Sequence, residues 1–171
     1  MGIETLVSVG EYRNAAYSPD CHFIAGRLVE RDVGEKEHGR MQRALLRHMA
    51  RYRDAGLEAW PEQRVQITPE HYSVVDVCIT IGEPDEQIFS IPPLVCIEIL
   101  SRKDTLSDVQ EVIDDYVKLG VPYNWIINLW KRTAYAASIT GFVRVPDGVF
   151  RTTCSHPELV IPLEELYRFK A

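Results

Sequence analysis

Apolar residues recur along this chain with two periods, near 3.6 and near 2, and each change of period marks an element. The strongest helical signal runs from Glu37 to Tyr52, where Met41, Leu45, Met49 and Tyr52 form one stripe and Gly56 supplies a stop. A second helix is predicted from Thr105, with Asp108 three residues on as its capping partner. Leu106, Val109, Val112, Ile113 and Tyr116 line its inner side, and Gly120 ends it. Ser8 and Glu11 have the spacing of a capping box and predict a short helix before Ser18-Pro-Asp20. Tyr72–Ile81 and Leu94–Leu100 are dense in β-branched residues and read as buried strands. Further strands are predicted over Leu57–Ile67 and Asn124–Leu129. Hairpins are predicted over Cys21–Glu30, turning at Ala25-Gly26, and over Ala134–Val145 with Val149–Thr153, turning at Pro146-Asp147-Gly148. Arg31–Gly34 is a polar connection, Gly82–Ser90 an acidic loop, and Pro162–Phe169 a last short helix. The order predicts an α+β fold, a central mixed sheet with a helix on each side.

At 171 residues the chain is expected to form a single domain, 1–171, with an ordinary hydrophobic content of 46% and charged content of 26%. No apolar run reaches membrane-spanning length, and Glu4 interrupts any signal-like start. Leu6 stands where a myristoylation signal has Ser or Thr. A cytoplasmic protein with no membrane partner is the expectation. Cys21, Cys78, Cys96 and Cys154 lack metal-site spacing and are expected to be reduced, buried thiols. A net charge of −6 argues against strong non-specific affinity for nucleic acid. Arg40, Arg43, Arg47, Arg51 and Arg53 nonetheless occur with no acid among them, and the first four share a helix face. That face is either a solvated surface or a ridge that tracks phosphates.

Two strands each carry one carboxylate amid apolar residues, Asp76 and Glu98. A charge there costs several kcal/mol unless it is paired, and neither strand offers an Arg or Lys. Alternation puts Asp76 with Cys78 and Thr80 on one face, and Val75, Val77 and Ile79 on the other. Glu98 shares a face with Cys96 and Leu100, so neighbouring strands in register bring the two acids together. A shared hard cation is one reading; acids facing water or bonded to Tyr or Ser hydroxyls are the other. A thiolate–carboxylate zinc site at Cys78 and Cys96 is a further option, weaker than buried core thiols. His71 reads as a surface turn residue and Trp125 as core packing.

Asp76, Leu94-Val-Cys-Ile-Glu-Ile-Leu-Ser101, Asp-Tyr116 and Gly-Val-Pro-Tyr-Asn-Trp-Ile-Ile-Asn128 together resemble the Uma-two family of "putative restriction endonucleases", a branch of the PD-(D/E)XK nuclease superfamily. Tyr17-Ser-Pro-Asp20, Gly26-Arg-Leu-Val-Glu30 and Gly34-Glu-Lys-Glu-His-Gly-Arg40 fit the same pattern. The resemblance implies a restriction-endonuclease-like core and metal-dependent cleavage of DNA. It implies Mg²⁺ or Mn²⁺ held by Asp76, Glu98 and the Ile99 carbonyl. Glu37 matches an acidic position near that family's site, accompanied by His38, which the residues alone leave equally as a locally bonded helix-start residue. One departure bears on activity. The superfamily's lysine two residues after the acid is Leu100 here, and the position to which relatives move it is Val112. Lys103 or Gln110 would then have to serve, or catalysis is weakened. The alternative function is a catalytically silent nuclease scaffold that binds nucleic acid or a protein. DNA contact is expected along Arg40, Arg43, Arg47 and Arg51. A homodimer would allow both strands to be cut.

Overall fold

A computed structural model describes residues 6–31, 35–153 and 157–168. Glu4, Gly34, Cys154 and Phe169 lie outside the described residues, and the expectations that fall on them with them. The elements follow in the order α1 (Val9–Asn14), β1 (His22–Ile24), β2 (Arg27–Val29), α2 (Lys36–Met49), β3 (Leu57–Thr68), β4 (His71–Ile81), β5 (Val95–Leu100), α3 (Leu106–Leu119), β6 (Tyr123–Asn128), β7 (Thr133–Ser138), β8 (Gly141–Arg144), β9 (Val149–Arg151), β10 (Val160–Pro162) and α4 (Leu163–Arg168). Both capping boxes form, Ser8 with Glu11 and Thr105 with Asp108. The long helix stops at Met49 and continues as a 3₁₀ turn to Ala55, which Gly56 closes in the left-handed conformation.

Strands β1–β8 form one mixed sheet, antiparallel except for β5 and β6, which run parallel across the α3 crossover. Helix α2 covers one face, setting Met41, Leu45 and Met49 against Val77, Ile79, Ile97, Trp125 and Ile127. Trp125 stacks on Phe150 with centroids 4.6 Å apart, a core residue as expected. Helix α3 covers the other face with Val109, Ile113 and Tyr116 against Cys78, Cys96, Leu100 and Ile126. The α+β arrangement with one helix on each side is therefore the observed one.

Two expectations fail for identifiable reasons. The β7 strand turns at Ile139-Thr140 to pair with β8, while β9 pairs with β10 in a separate two-stranded sheet. Pro146-Asp147-Gly148 therefore links two sheets; its turn residues report a change of direction but not the partner. Alternation also breaks before Asp76, because Val75 packs with Cys78 and Cys96 while Val77 and Ile79 pack on the α2 side. The break lies opposite Glu62, which has φ +50°, and the register passes from Pro61↔Val77 to Gln63↔Val75 without pairing Glu62.

What positions the site is a fork along β4. One edge of β4 pairs with β3 from end to end. The other pairs with β1 at His71 and Tyr72, and with β5 from Val77 to Ile79. Between those contacts, 73–76 has no strand partner on that edge among the described residues. Exposed ladder groups there need other partners. The Val74 amide donates to His22 Nδ1 at 3.1 Å, and the Ile99 amide donates to Asp76 Oδ2 at 2.8 Å. Burial, then the Arg31 charge, pushes His22 down to about 4, which leaves the ring neutral and able to accept.

Candidate metal centre

The cleft at the fork is walled by the ends of β1, β2 and β5, by β4, and by the flank of α3. Asp76, Glu98, Ile99 and His38 line it, as do Ser73, His71 and Asp115. The β4–β5 register, continued by one pair past Val77↔Ile97, sets Asp76 opposite Glu98. Their carboxyls share a hydrogen bond, and the Tyr116 hydroxyl donates to Glu98 Oε1. The acids that the sequence placed on consecutive strands thus do converge.

Asp76 is 4% exposed and has several donors. His38 Nε2 lies 3.1 Å from Oδ2, the Ile99 amide bonds the same oxygen, and the Arg31 guanidinium bonds Oδ1. Burial opposes ionisation, but His38, Arg31 and the Ile99 amide outweigh it and hold Asp76 below the usual carboxylate range. Glu98 goes the other way. Burial first and the Asp76 charge second raise it well above its ordinary value. Two carboxyls this close oppose each other's ionisation, and the one with fewer donors, Glu98, takes the upward shift. His38 is raised from its usual value, because its bond to Asp76 and that charge outweigh the burial that opposes them.

The expectation that no basic side chain neutralises the acids is corrected here. Arg31, at the end of the β1–β2 hairpin, bonds both Asp76 and Glu62, and its side chain is 13% exposed. Burial opposes its charge, but Asp76, Glu62 and Glu98 together raise it. Glu62 is held from its other side by the Gln42 amide, which also donates to the Asp76 carbonyl at 3.1 Å. His38, Glu62 and Asp76 place three ligand atoms within 4.8 Å of one another.

Several predicted site residues lie elsewhere. Glu37 is exposed and paired with Arg40 at 2.6 Å. Its neighbour His38 turns inward instead, because His38 and Gln42 share the α2 side that carries Met41 and Leu45. Lys103 is exposed and does not line the cleft, and the Gln110 amide is spent on Asp114 and the Ser138 carbonyl at 2.8 and 3.3 Å. Leu100 and Val112, which stand where the resemblance implies a lysine, line the cleft. Of the arginine ridge, Arg40 pairs with Glu37 and Arg51 with Glu165, while Arg43 and Arg47 are exposed; none lines the cleft. Cys78 and Cys96 are direct cross-strand partners with no exposure, and burial raises both thiols, so they are core residues and not soft-metal ligands. His71 is not a surface turn residue. It lines the cleft and lies 3.0 Å from Asp115.

Arg31, Glu62 and Gln42 escaped the sequence reading. Gln42 left a trace: a polar residue beside an apolar stripe, four residues after His38. Arg31 and Glu62 left none, because one follows a strand end and the other sits among polar residues of β3.

The residues present fit a hard divalent ion. Two facing carboxyls and a backbone carbonyl at one cleft offer the oxygen donors such an ion takes. No described helix is long and apolar enough to cross a membrane.

The family model described as "Putative restriction endonuclease", Uma2, matches residues 11–164. A solved structure titled as a putative nuclease belonging to DUF820 from Anabaena variabilis is similar in fold. It has a TM-score of 0.76 and 20% sequence identity, and the match covers 94% of this chain and 97% of that one. None of the curated proteins matches. With nine-tenths of its length inside that family model and a restriction-endonuclease-like sheet around the acid pair, the chain belongs to the Uma2 family.

Proposed function

We propose that this protein is a metal-dependent DNA endonuclease that hydrolyses phosphodiester bonds at the Asp76–Glu98 pair. The observation that carries this reading is the pair itself, two carboxyls from apolar strands that the β4–β5 register sets opposite each other in the cleft. Asp76, Glu98 and the Ile99 carbonyl would hold Mg²⁺ or Mn²⁺. When bound there, such an ion lowers the pKa of an attacking water and offsets charge on the phosphate. The chain's own residues prepare for it. His38 and the Ile99 amide fix the Asp76 carboxylate, and the Tyr116 hydroxyl fixes Glu98. Glu98 must be without its proton when the ion is bound. The exposed Arg43 and Arg47 would contact the DNA backbone away from the cleft, and a second copy of the chain would bring a second cleft to the other strand.

The test is incubation of supercoiled plasmid with Mn²⁺ or Mg²⁺, for the wild type and for Asp76→Ala and Glu98→Ala. The expected outcome is nicking by the wild type and none by either variant. Cleavage that persists in both variants removes the pair from the mechanism.

One observation favours a second reading, a nuclease scaffold that binds without cutting. The α3 wall of the cleft carries Asp108, Glu111, Val112 and Asp115, so acids and a valine stand where a lysine would help a phosphate. Ion binding without cleavage, and cleavage gained on Val112→Lys, would establish it.

A further inference from the structure

The buried guanidinium at the fork has no part in the scheme above. Arg31 bonds Asp76 with one terminal nitrogen and Glu62 with the other, and among the described residues it is the only Arg or Lys lining the cleft. The atoms around it form a ligand set distinct from the Asp76–Glu98 pair: a His38 imidazole nitrogen and carboxylate oxygens of Glu62 and Asp76, all within 4.8 Å of one another. Two features keep that set in place. Glu62 occupies the left-handed backbone region at φ +50°, and its second oxygen accepts from Gln42.

We propose that the Arg31 guanidinium is the built-in second cation of this centre, filling a position between His38, Glu62 and Asp76 that a divalent ion of the Mn²⁺ class takes once the guanidinium is removed. In the wild type, the centre then has room for one ion, at Asp76 and Glu98, with a tethered positive charge beside it. A guanidinium has five N–H donors in a planar fork, so the donors not spent on Asp76 and Glu62 suit a phosphodiester oxygen. This supplies, from the β1–β2 hairpin, the fixed positive charge that Leu100 and Val112 cannot. That role beside the phosphate rests on the endonuclease reading; the occupancy of the cation position does not. Because the vacated set includes an imidazole nitrogen, it favours Mn²⁺ over Mg²⁺.

Stoichiometry is the test. Mn²⁺ and, separately, Mg²⁺ are titrated into the wild type, Arg31→Met, Arg31→Lys and Arg31→Met/Glu62→Gln, by calorimetry and by the electron-spin signal of free Mn²⁺. The expected result is one more Mn²⁺ per chain in Arg31→Met than in the wild type. No gain is expected in Arg31→Lys, and the double variant loses the gain; Mg²⁺ shows a smaller gain or none. An unchanged count in Arg31→Met, or a gain that survives Glu62→Gln, overturns the proposal. A wild type that binds no ion and cuts no DNA defeats the endonuclease reading, yet the extra ion in Arg31→Met would still support this one. Arg31→Ser provides a second variant. If either variant folds only when Mn²⁺ is supplied, the ion is replacing the guanidinium; if neither folds even then, the proposal fails.

Discussion

Glu98 meets three neighbours that decide its chemistry: the Asp76 carboxyl, the Tyr116 hydroxyl and, at longer range, Arg31. Its proton has a thermodynamic consequence. Above the ordinary glutamate value of 4.5 the folded protein still holds a proton that the unfolded chain has released, so metal-free stability falls as pH rises through that window. His38 acts in the same direction. Its stabilisation is complete below 6.5 and is lost as pH passes its raised folded value. Asp76 acts oppositely, stabilising above 3.8 and losing its contribution as pH falls through its depressed value. The expected outcome is a metal-free melting temperature that declines from mildly acidic to alkaline pH, with a shallower decline in Glu98→Gln. Mn²⁺ must displace that proton, so its affinity should rise with pH and its addition should release protons into a weakly buffered solution. A melting curve flat across that range and no proton release would contradict the upward shift of Glu98. At this scale the sequence was informative wherever a residue violated its surroundings. Asp76 and Glu98 stand out as charges within apolar runs. Arg31 and Glu62 violate nothing locally; their partners lie 45 and 31 residues away.

Periodicity marked α2 and α3 well because each buries one face, and the density of β-branched residues marked β4 and β5, which are buried on both faces. It did not determine pairing. The β9 segment has a good strand pattern but finds β10 and not β8, since pairing depends on which edge is open. Nor did it find the break in β4, because nothing in Glu62 announces a left-handed backbone, a conformation that costs a residue other than glycine about 1–3 kcal/mol. The hairpin that delivers Arg31 depends on one further cluster. Arg64 on β3 bonds both Asp20 oxygens at 2.6 and 2.7 Å, donates to the Tyr12 and Ala15 carbonyls, and lies 4.4 Å from the Tyr12 ring centroid. Tyr12 in turn packs with Phe23 of β1 and Tyr72 of β4. Asp20→Ala leaves that guanidinium without its charged partner and should cost about 1.5–3 kcal/mol in urea unfolding. It should also weaken the hold on Arg31 more than it disturbs α2 or α3. Amide exchange, followed element by element, would show whether the loss is confined to α1, β1 and β2.

Across the whole molecule the charge distribution opposes nucleic acid. The net charge is −6, and Glu30, Asp104, Asp108, Glu111 and Asp115 line the cleft along with the acid pair. A phosphate backbone approaching this surface meets repulsion until the centre gains positive charge. Affinity for a short duplex should therefore fall by about tenfold or more when EDTA replaces Mn²⁺, read by fluorescence anisotropy with Glu98→Gln as the control. On the proposed reading, the exposed arginines of α2 would act independently of the ion. Arg43→Glu with Arg47→Glu should abolish duplex binding in either condition while leaving the melting temperature nearly unchanged; binding that survives would place the DNA path elsewhere. The forked edge of β4 has a consequence of another kind. Its acids and its guanidinium arrive on separate pieces of chain, the acids on long inner strands and the guanidinium on a hairpin joined to β4 by two residue pairs. A substitution in the hairpin can therefore change the electrostatics of the centre from the rim of the sheet while its interior stays as it is.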